Sequence, residues 1–149
     1  MNVLFFMQPK AQVAYLYDDF TIRQTLEKMH HHGYAAIPVL DRDGRYFGTI
    51  SEGDLLWYIV RGEGGTVESV NISNLEDCKL SDVKMRASRY LTVRISAQID
   101  ELLQVAINQN FIPVLDDDDK FIGIVTRSAV LKYFYDNVCN DDSGFEDSK

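Results

Sequence analysis

A chain of 149 residues, 46% of them hydrophobic, is long enough for one compact domain or two small packed units and too apolar for wholesale disorder. The net charge of −8 excludes nucleic acid as the main partner, because phosphate-backbone binding needs a basic face, so any phosphorylated ligand must be met by local positive groups. Cys78 and Cys139 match no metal-ligand spacing and form no disulfide framework, which points to a reducing cytoplasm.

Val3-Leu4-Phe5-Phe6-Met7 has no preceding basic residue and is too short for a signal peptide. The longest later apolar run, Leu55 to Val60, is far short of a membrane span, so the expectation is a soluble intracellular protein with no membrane partner. Residues 1–12 read as a lead-in, with a helical turn over Val3–Met7 that Pro9 ends. Val13–Tyr17 predicts a short strand. Ile22, Leu26 and Met29 then fall on one face of an amphipathic helix that Gly33 terminates. Strands follow at about Ala35–Leu40 and Tyr46–Ser51, and a helix from Ser51 turns Leu55, Leu56, Ile59 and Val60 inward. Arg61 to Asp77, with Gly62, Gly64 and Gly65, reads as a linker or an irregular excursion.

The pattern then recurs. Leu80–Met85 predicts a short helix, Leu91–Ile95 a strand, and Ile99, Leu103 and Ala106 a helix face. Ile37-Pro38-Val39-Leu40-Asp41-Arg42-Asp43-Gly44-Arg45-Tyr46-Phe47-Gly48 returns as Ile112-Pro113-Val114-Leu115-Asp116-Asp117-Asp118-Asp119-Lys120-Phe121-Ile122-Gly123, offset by 75 positions with seven of twelve residues identical. The offset is 77 before this stretch, so the second copy lacks two residues there. Val130, Leu131 and Phe134 form the last inward face, and from Asp136 the acidic chain reads as a solvated tail. Each copy is strand, helix, strand, strand, helix, and neither is large enough to bury its own apolar face, which implies a paired fold with pseudo-twofold symmetry. The expected divisions are 1–77 for the first repeat with its lead-in and linker, 78–138 for the second repeat, and 139–149 for an acidic, disordered tail.

The β-α-β-β-α order, the central Ile-Pro-Val-Leu-Asp and the Gly-apolar-apolar-Ser/Thr junction into the last helix resemble the CBS domain, and two in tandem resemble a CBS pair, or Bateman module. The resemblance spans about Phe6 to Asn137. It implies an α/β regulatory module, often a homodimer, that binds adenosine-type ligands in clefts between the copies. Val13-Ala14, Gly33-Tyr34, Ala36 to Asp41, the shortened second copy, Gly123-Ile124, Thr126-Arg127 and Val130-Leu131-Lys132 are similar to stand-alone CBS-pair proteins of Gram-positive bacteria that sense cyclic di-AMP. Gln12 and Ser128 depart from the Lys and Arg those proteins carry.

The two helix starts are the chemical candidates. In Gly48-Thr49-Ile50-Ser51-Glu52-Gly53-Asp54, the resemblance implies that Ser51 meets phosphate or ribose and Asp54 takes the ribose hydroxyls. The same pair stands at N-cap and N3 spacing, which caps a helix without any ligand. In Gly123-Ile124-Val125-Thr126-Arg127-Ser128-Ala129 no carboxylate stands at Ala129, and Arg127 places a cation in a first helical turn, where it opposes the dipole. A bound phosphate or a nearby carboxylate would compensate it. The family architecture crosses the copies. It implies one nucleotide cleft from Gln12, Val13, Ala14, Tyr34, Ala35, Ala36 and Pro38 with Thr126 and Arg127. A second cleft combines Thr92, Asn110 and Phe111 with Ser51 and Asp54, and there Phe111 occupies the place of Ala36.

His30-His31-His32 reads as a solvated helix end rather than a chelating face, and Asp116–Asp119 as a hairpin turn rather than a calcium loop. Trp57 reads as core or dimer surface. No metal site, catalytic cofactor or catalytic constellation is expected, since no nucleophile, base and orienting group can be assembled from these motifs. The expected function is a non-catalytic sensor of an adenine nucleotide, cyclic di-AMP ahead of AMP, ADP or ATP, that signals to a target protein. The alternative is a ligand-free dimerisation and protein-docking module.

Overall fold

A computed structural model of the protein describes residues 2–61, 76–83 and 90–141. The linker expected after Arg61 lies outside the described residues from 62 to 75, as does the tail beyond Asp141. In chain order the elements are β1 (Gln8–Pro9), β2 (Leu16–Tyr17), α1 (Ile22–His32), β3 (Ala36–Leu40), β4 (Tyr46–Ser51), α2 (Glu52–Arg61), β5 (Val93–Arg94), α3 (Ile99–Ala106), β6 (Phe111–Leu115), β7 (Phe121–Thr126) and α4 (Arg127–Asp141). From β2 to α2 and from β5 to α4 the same β-α-β-β-α order appears twice. The chain forms two compact units. One holds Met1–Val13, Leu91–Asp117 and Ile122–Lys149, and the other holds Ala14–Tyr90 and Asp118–Phe121.

In the first-repeat unit the sheet order is β2-β3-β4, with β2 parallel and β4 antiparallel to β3. Strand β2 is shorter than the expected Val13–Tyr17, and the reason lies in its partner. Its ladder begins at Leu16 opposite Val39, immediately after Pro38, which has no N–H to donate. The second repeat repeats this limit, since β5 begins its ladder with Val93 opposite Val114, just after Pro113, so the expected strand Leu91–Ile95 also shrinks to two residues.

Helix α1 starts with a capping box. Thr21 Oγ1 accepts from the Gln24 N–H at 3.1 Å, and Gln24 Oε1 accepts from the Thr21 N–H at 2.9 Å. Gly33 ends it in the left-handed region at φ 69°, as its place in the sequence predicts. The buried stripe is Ile22, Thr25 and Met29, whereas Leu26, expected inside, is 36% exposed. Thr25 is buried without an orphaned hydroxyl, because its Oγ1 donates to the Thr21 carbonyl at 2.9 Å. Leu56 and Leu131 also depart from expectation. Each follows a buried residue, Leu55 or Val130, by one position, about 100° around the helix, and each is 63% exposed. The first core gathers Leu16, Ile22, Ile37, Val39, Ile50 and Leu55 with Leu80 and Val83. Leu80 stands in a 3-10 turn, Leu80–Asp82, shorter than the helix expected there, and is fully buried. Such burial is worth roughly 2 kcal/mol and ties Lys79–Val83 to the first repeat.

The second-repeat unit has four strands in the order β1-β7-β6-β5. Its extra edge strand comes from the lead-in, where Gln8 pairs with Ile124 and Pro9 with Gly123. Before it, Val3–Phe5 forms a 3-10 turn that buries Val3, within the expected Val3–Met7 turn. Close approach of β1 requires Gly123, since a Cβ there would lie 2.2 Å from the Gln8 carbonyl oxygen. The core joins Val3 and Phe6 to Val93, Leu102, Ile112, Val114, Val125 and Val130. Helix α4 continues to Asp141, five residues past the expected change at Asp136.

Candidate functional site

Each helix start is built the same way. The strand before it ends with a hydroxyl residue as N-cap, and the first helical N–H is handed to the opposite strand's approach: Glu52 N–H donates to the Ala35 carbonyl at 2.9 Å, and Arg127 N–H to the Asn110 carbonyl at 2.8 Å. Beyond that the two starts differ. In the first repeat, Ser51 Oγ accepts from the Asp54 N–H at 3.1 Å and Asp54 Oδ2 accepts from the Ser51 N–H at 3.0 Å. The box is complete, and Asp54 is 8% exposed. Its Oδ2 is thereby engaged, leaving Oδ1 as the oxygen open to a further donor.

In the second repeat, Thr126 Oγ1 accepts from the Ala129 N–H at 3.1 Å, but nothing returns the bond. Arg127 turns instead to the C-terminal end of α3. Its Nε donates to the Ala106 carbonyl at 2.7 Å and its Nη2 makes a long contact of 3.5 Å to the Ile107 carbonyl. This supplies compensation that sequence reasoning did not consider. The cation that opposes the dipole of its own helix sits at the negative end of another, and satisfies carbonyls that α3 leaves open. It pairs with no carboxylate among the described residues. Two of its five N–H donors are engaged, so Nη1 and one Nη2 hydrogen remain for an anion.

The other sequence-predicted residues divide between the units. With the second repeat stand exposed Gln12, half-buried Val13, half-buried Thr92 just before β5, exposed Asn110, and Phe111 at the start of β6. With the first repeat stand half-buried Ala14, Tyr34, exposed Ala35, Ala36 at the start of β3, and buried Pro38 opposite Thr49. The sheet brings Ala36 directly opposite Ser51. Tyr34 is 45% exposed and stacks on His32 with ring centroids 5.4 Å apart and planes 9° from parallel. The three adjacent histidines occupy the exposed last turn of α1.

Sequence reasoning missed Gln109. It is 5% exposed, and its amide grips the backbone around Thr92: Oε1 accepts from the Leu91 N–H at 2.9 Å, while Nε2 donates to the carbonyls of Leu91 at 2.8 Å and Phe111 at 2.9 Å. A Gln three residues beyond Ala106 on the buried side of α3 was the available signal. The first repeat holds the matching segment differently, with Lys28 Nζ donating to the Tyr15 carbonyl at 2.8 Å.

The family model for the CBS domain matches residues 6–61 and 80–136, covering both repeats. The chain belongs to the CBS domain family. It is a tandem CBS pair, with four α-helices and two mixed sheets among the described residues, and membership places it with regulatory binding modules rather than enzymes. Cyclic di-AMP receptor B of Bacillus subtilis is 29% identical over 127 residues, 85% of this chain and 82% of that protein. The solved structure of Listeria monocytogenes CbpB in complex with c-di-AMP is 26% identical, with a TM-score of 0.75 over 91% of this chain and 96% of that one. CBSX2 in complex with AMP is 25% identical, with a TM-score of 0.68 over 89% and 94%. No described helix of this CBS pair is long and apolar enough to cross a membrane.

Proposed function

We propose that this CBS pair is a cytoplasmic, homodimeric sensor that binds an adenine nucleotide and passes its occupancy to a target protein. Cyclic di-AMP is the first choice of ligand, with AMP, ADP or ATP next. The observation that carries the reading is the match to cyclic di-AMP receptor B across both repeats rather than over one domain. The proposed contacts are those of the family architecture. Arg127, with N–H donors still open, and Thr126 take phosphate. Ala35 and Ala36 leave room for a planar base, with Tyr34, Pro38 and Gln12 to Ala14 around it. Ser51 and Asp54, with Thr92, Asn110 and Phe111, form the less favoured set, because Asp54 is already engaged in its capping box and Glu52 adds negative charge.

A ligand-free docking module remains the second reading, favoured by one observation: Arg127 and Asp54 both have intramolecular partners. Titration calorimetry against cyclic di-AMP, AMP and ATP separates the two, with thermal melts alongside. A true ligand at a hundred times its Kd adds about 2.7 kcal/mol of stability. Arg127→Ala should weaken a phosphorylated ligand about a hundredfold through the lost charge-assisted contact. Absence of heat and of any melting shift with all three compounds would leave only the docking module.

A further inference from the structure

In each repeat a side chain holds the segment that leads into the first strand, and the two repeats do it by different means. In the second, the Gln109 amide accepts from the Leu91 N–H at 2.9 Å and donates to the Leu91 carbonyl at 2.8 Å and the Phe111 carbonyl at 2.9 Å. Bonding both the N–H and the C=O of one residue is what a paired residue of an antiparallel strand does. The amide thus carries the link between the strands back to Leu91, ahead of Val93 and Val114 where the β5–β6 ladder begins. Gln109 is 5% exposed and the Leu91 side chain 54%, so the clamp holds backbone and gains no apolar burial at Leu91. In the first repeat, Lys28 Nζ donates to the Tyr15 carbonyl at 2.8 Å and lies 5.8 Å from the ring centroids of Tyr15 and Phe20. The clamps stand at different places in the repeat. Lys28 corresponds to apolar Val105 at the offset of 77, and, counting back from Ile112, Gln109 takes the place of Tyr34, which stacks outward on His32.

The geometry points to Gln109 as a positioning residue for the nucleotide. It fixes Leu91 and Thr92 against the start of β6, so that Thr92, Asn110 and Phe111 meet a ligand already set. The matching segment of the first repeat, tied through the end of a flexible four-carbon stem, adjusts as its ligand arrives. A wall ordered before binding spends none of the binding energy on being ordered. The inference rests on the nucleotide reading above and deepens it, by naming the residue outside the proposed contacts that keeps one set of them in place.

The test compares Gln109→Met, which keeps the shape and loses the bonds, with Gln109→Glu, which keeps the acceptor and makes the donor depend on pH. Amide exchange without nucleotide, read by NMR, should show the protection of Leu91 falling in Gln109→Met at least about tenfold further than that of Val114. In Gln109→Glu a buried carboxylate faces the carbonyls of Leu91 and Phe111, which raises its pKa in the fold. Protection of Leu91 should then be present at low pH, where the acid donates, and be lost as pH rises through that raised value. A side chain that only fills space gives no such profile. Calorimetry with AMP, the smallest of the proposed ligands, reads binding. Gln109→Met should bind about tenfold more weakly, and Gln109→Glu should gain more affinity on acidification than the wild type does. Unchanged AMP affinity in Gln109→Met would overturn the positioning role and leave the nucleotide reading standing, and unchanged protection of Leu91 would overturn the clamp itself. No heat from AMP, ADP, ATP or cyclic di-AMP with the wild type would overturn the nucleotide reading and the positioning role with it.

Discussion

The two repeats share a strand-and-helix order, yet each spends its polar residues differently. At its second helix start the first repeat closes a capping box between Ser51 and Asp54. The second repeat keeps only Thr126, and sends Arg127 to the carbonyls of α3. In the hairpin turn the first repeat has Gly44 at φ 86°, and the second has Asp119 at φ 64° in the equivalent place. The sheet of the second repeat gains an edge strand from the lead-in, which that of the first does not have among the described residues. The lesson is that a duplicated backbone needs only the apolar pattern, the prolines and the turn acids to be kept. The copies diverge at the helix starts and at the first residue of the central strand, at 52/127, 54/129 and 36/111.

The largest break in the comparison should come at Gly123. Gly123→Ala drives a methyl against the Gln8 carbonyl and Met7, so it should cost about 3 kcal/mol in chemical denaturation or detach β1. Hydrogen exchange would show the detachment as lost amide protection at Gln8 and at residues 123–124. Unchanged stability would mean that the lead-in is not part of the second repeat's sheet.

A second difference is set by pH. Tyr46 stands where the second repeat has Phe121. Its hydroxyl meets Thr49 Oγ1 at 2.5 Å, and burial pushes its pKa from 10.0 up to about 12. A pKa raised in the folded state leaves stability intact below the unfolded value and removes it as pH rises through the folded one. Between pH 10 and pH 12 the fold should therefore lose about 2 kcal/mol through this group. Tyr46→Phe should abolish that part of the alkaline slope while costing about 1 kcal/mol at neutral pH. An unchanged slope would place the alkaline loss at another tyrosine.

The caps give a smaller and graded contrast. Ser51→Ala removes half of a reciprocal box and should cost about 1.5 kcal/mol, and Thr126→Ala, with one bond to lose, about 1 kcal/mol. Arg127→Ala should cost about another 1 kcal/mol from α3 in the absence of ligand, which denaturant midpoints would read. If Arg127→Ala leaves stability untouched, its carbonyl contacts are incidental and the guanidinium is held for a ligand alone.

The smallest effect belongs to the surface of the first repeat. Arg42 makes two bonds to Asp19, Nε–Oδ2 at 2.7 Å and Nη2–Oδ1 at 2.8 Å, and lies 4.1 Å over the Tyr17 ring. That pairing holds the Asp19 carboxyl below its ordinary range. Its contribution is present above the ordinary carboxylate pKa and fades as pH falls through the lowered one. Asp19→Asn should flatten the acid limb of the melting curve only slightly, and less so in high salt.

Much of this was legible in the residues. The repeat marked both hairpins, because buried β-branched runs flanking an acidic turn tolerate few other conformations. Gly33 as a helix stop and the Ser51–Asp54 spacing as a cap were readable for the same local reason. Leu26, Leu56 and Leu131 were misplaced because an apolar side chain at the edge of the buried stripe satisfies the helical periodicity whether or not it is covered. The direction of Arg127 was out of reach, since nothing in its neighbours says that the end of a helix 20 residues earlier lies within reach of its guanidinium. The role of Gln109 was hidden likewise, because its partners are backbone atoms brought to it by the sheet.

By itself, then, the chain's order of residues determined the duplicated β-α-β-β-α pattern, the hairpin turns and the helix stops, all of which depend on contacts within a few positions. Only the tertiary structure decided which unit the lead-in joins, how far β2 and β5 extend, and which carbonyls Arg127 satisfies. Those outcomes turn on groups far apart in the chain, where a missing N–H at Pro38, an absent Cβ at Gly123 or an open helix end acts on whatever the fold carries to it.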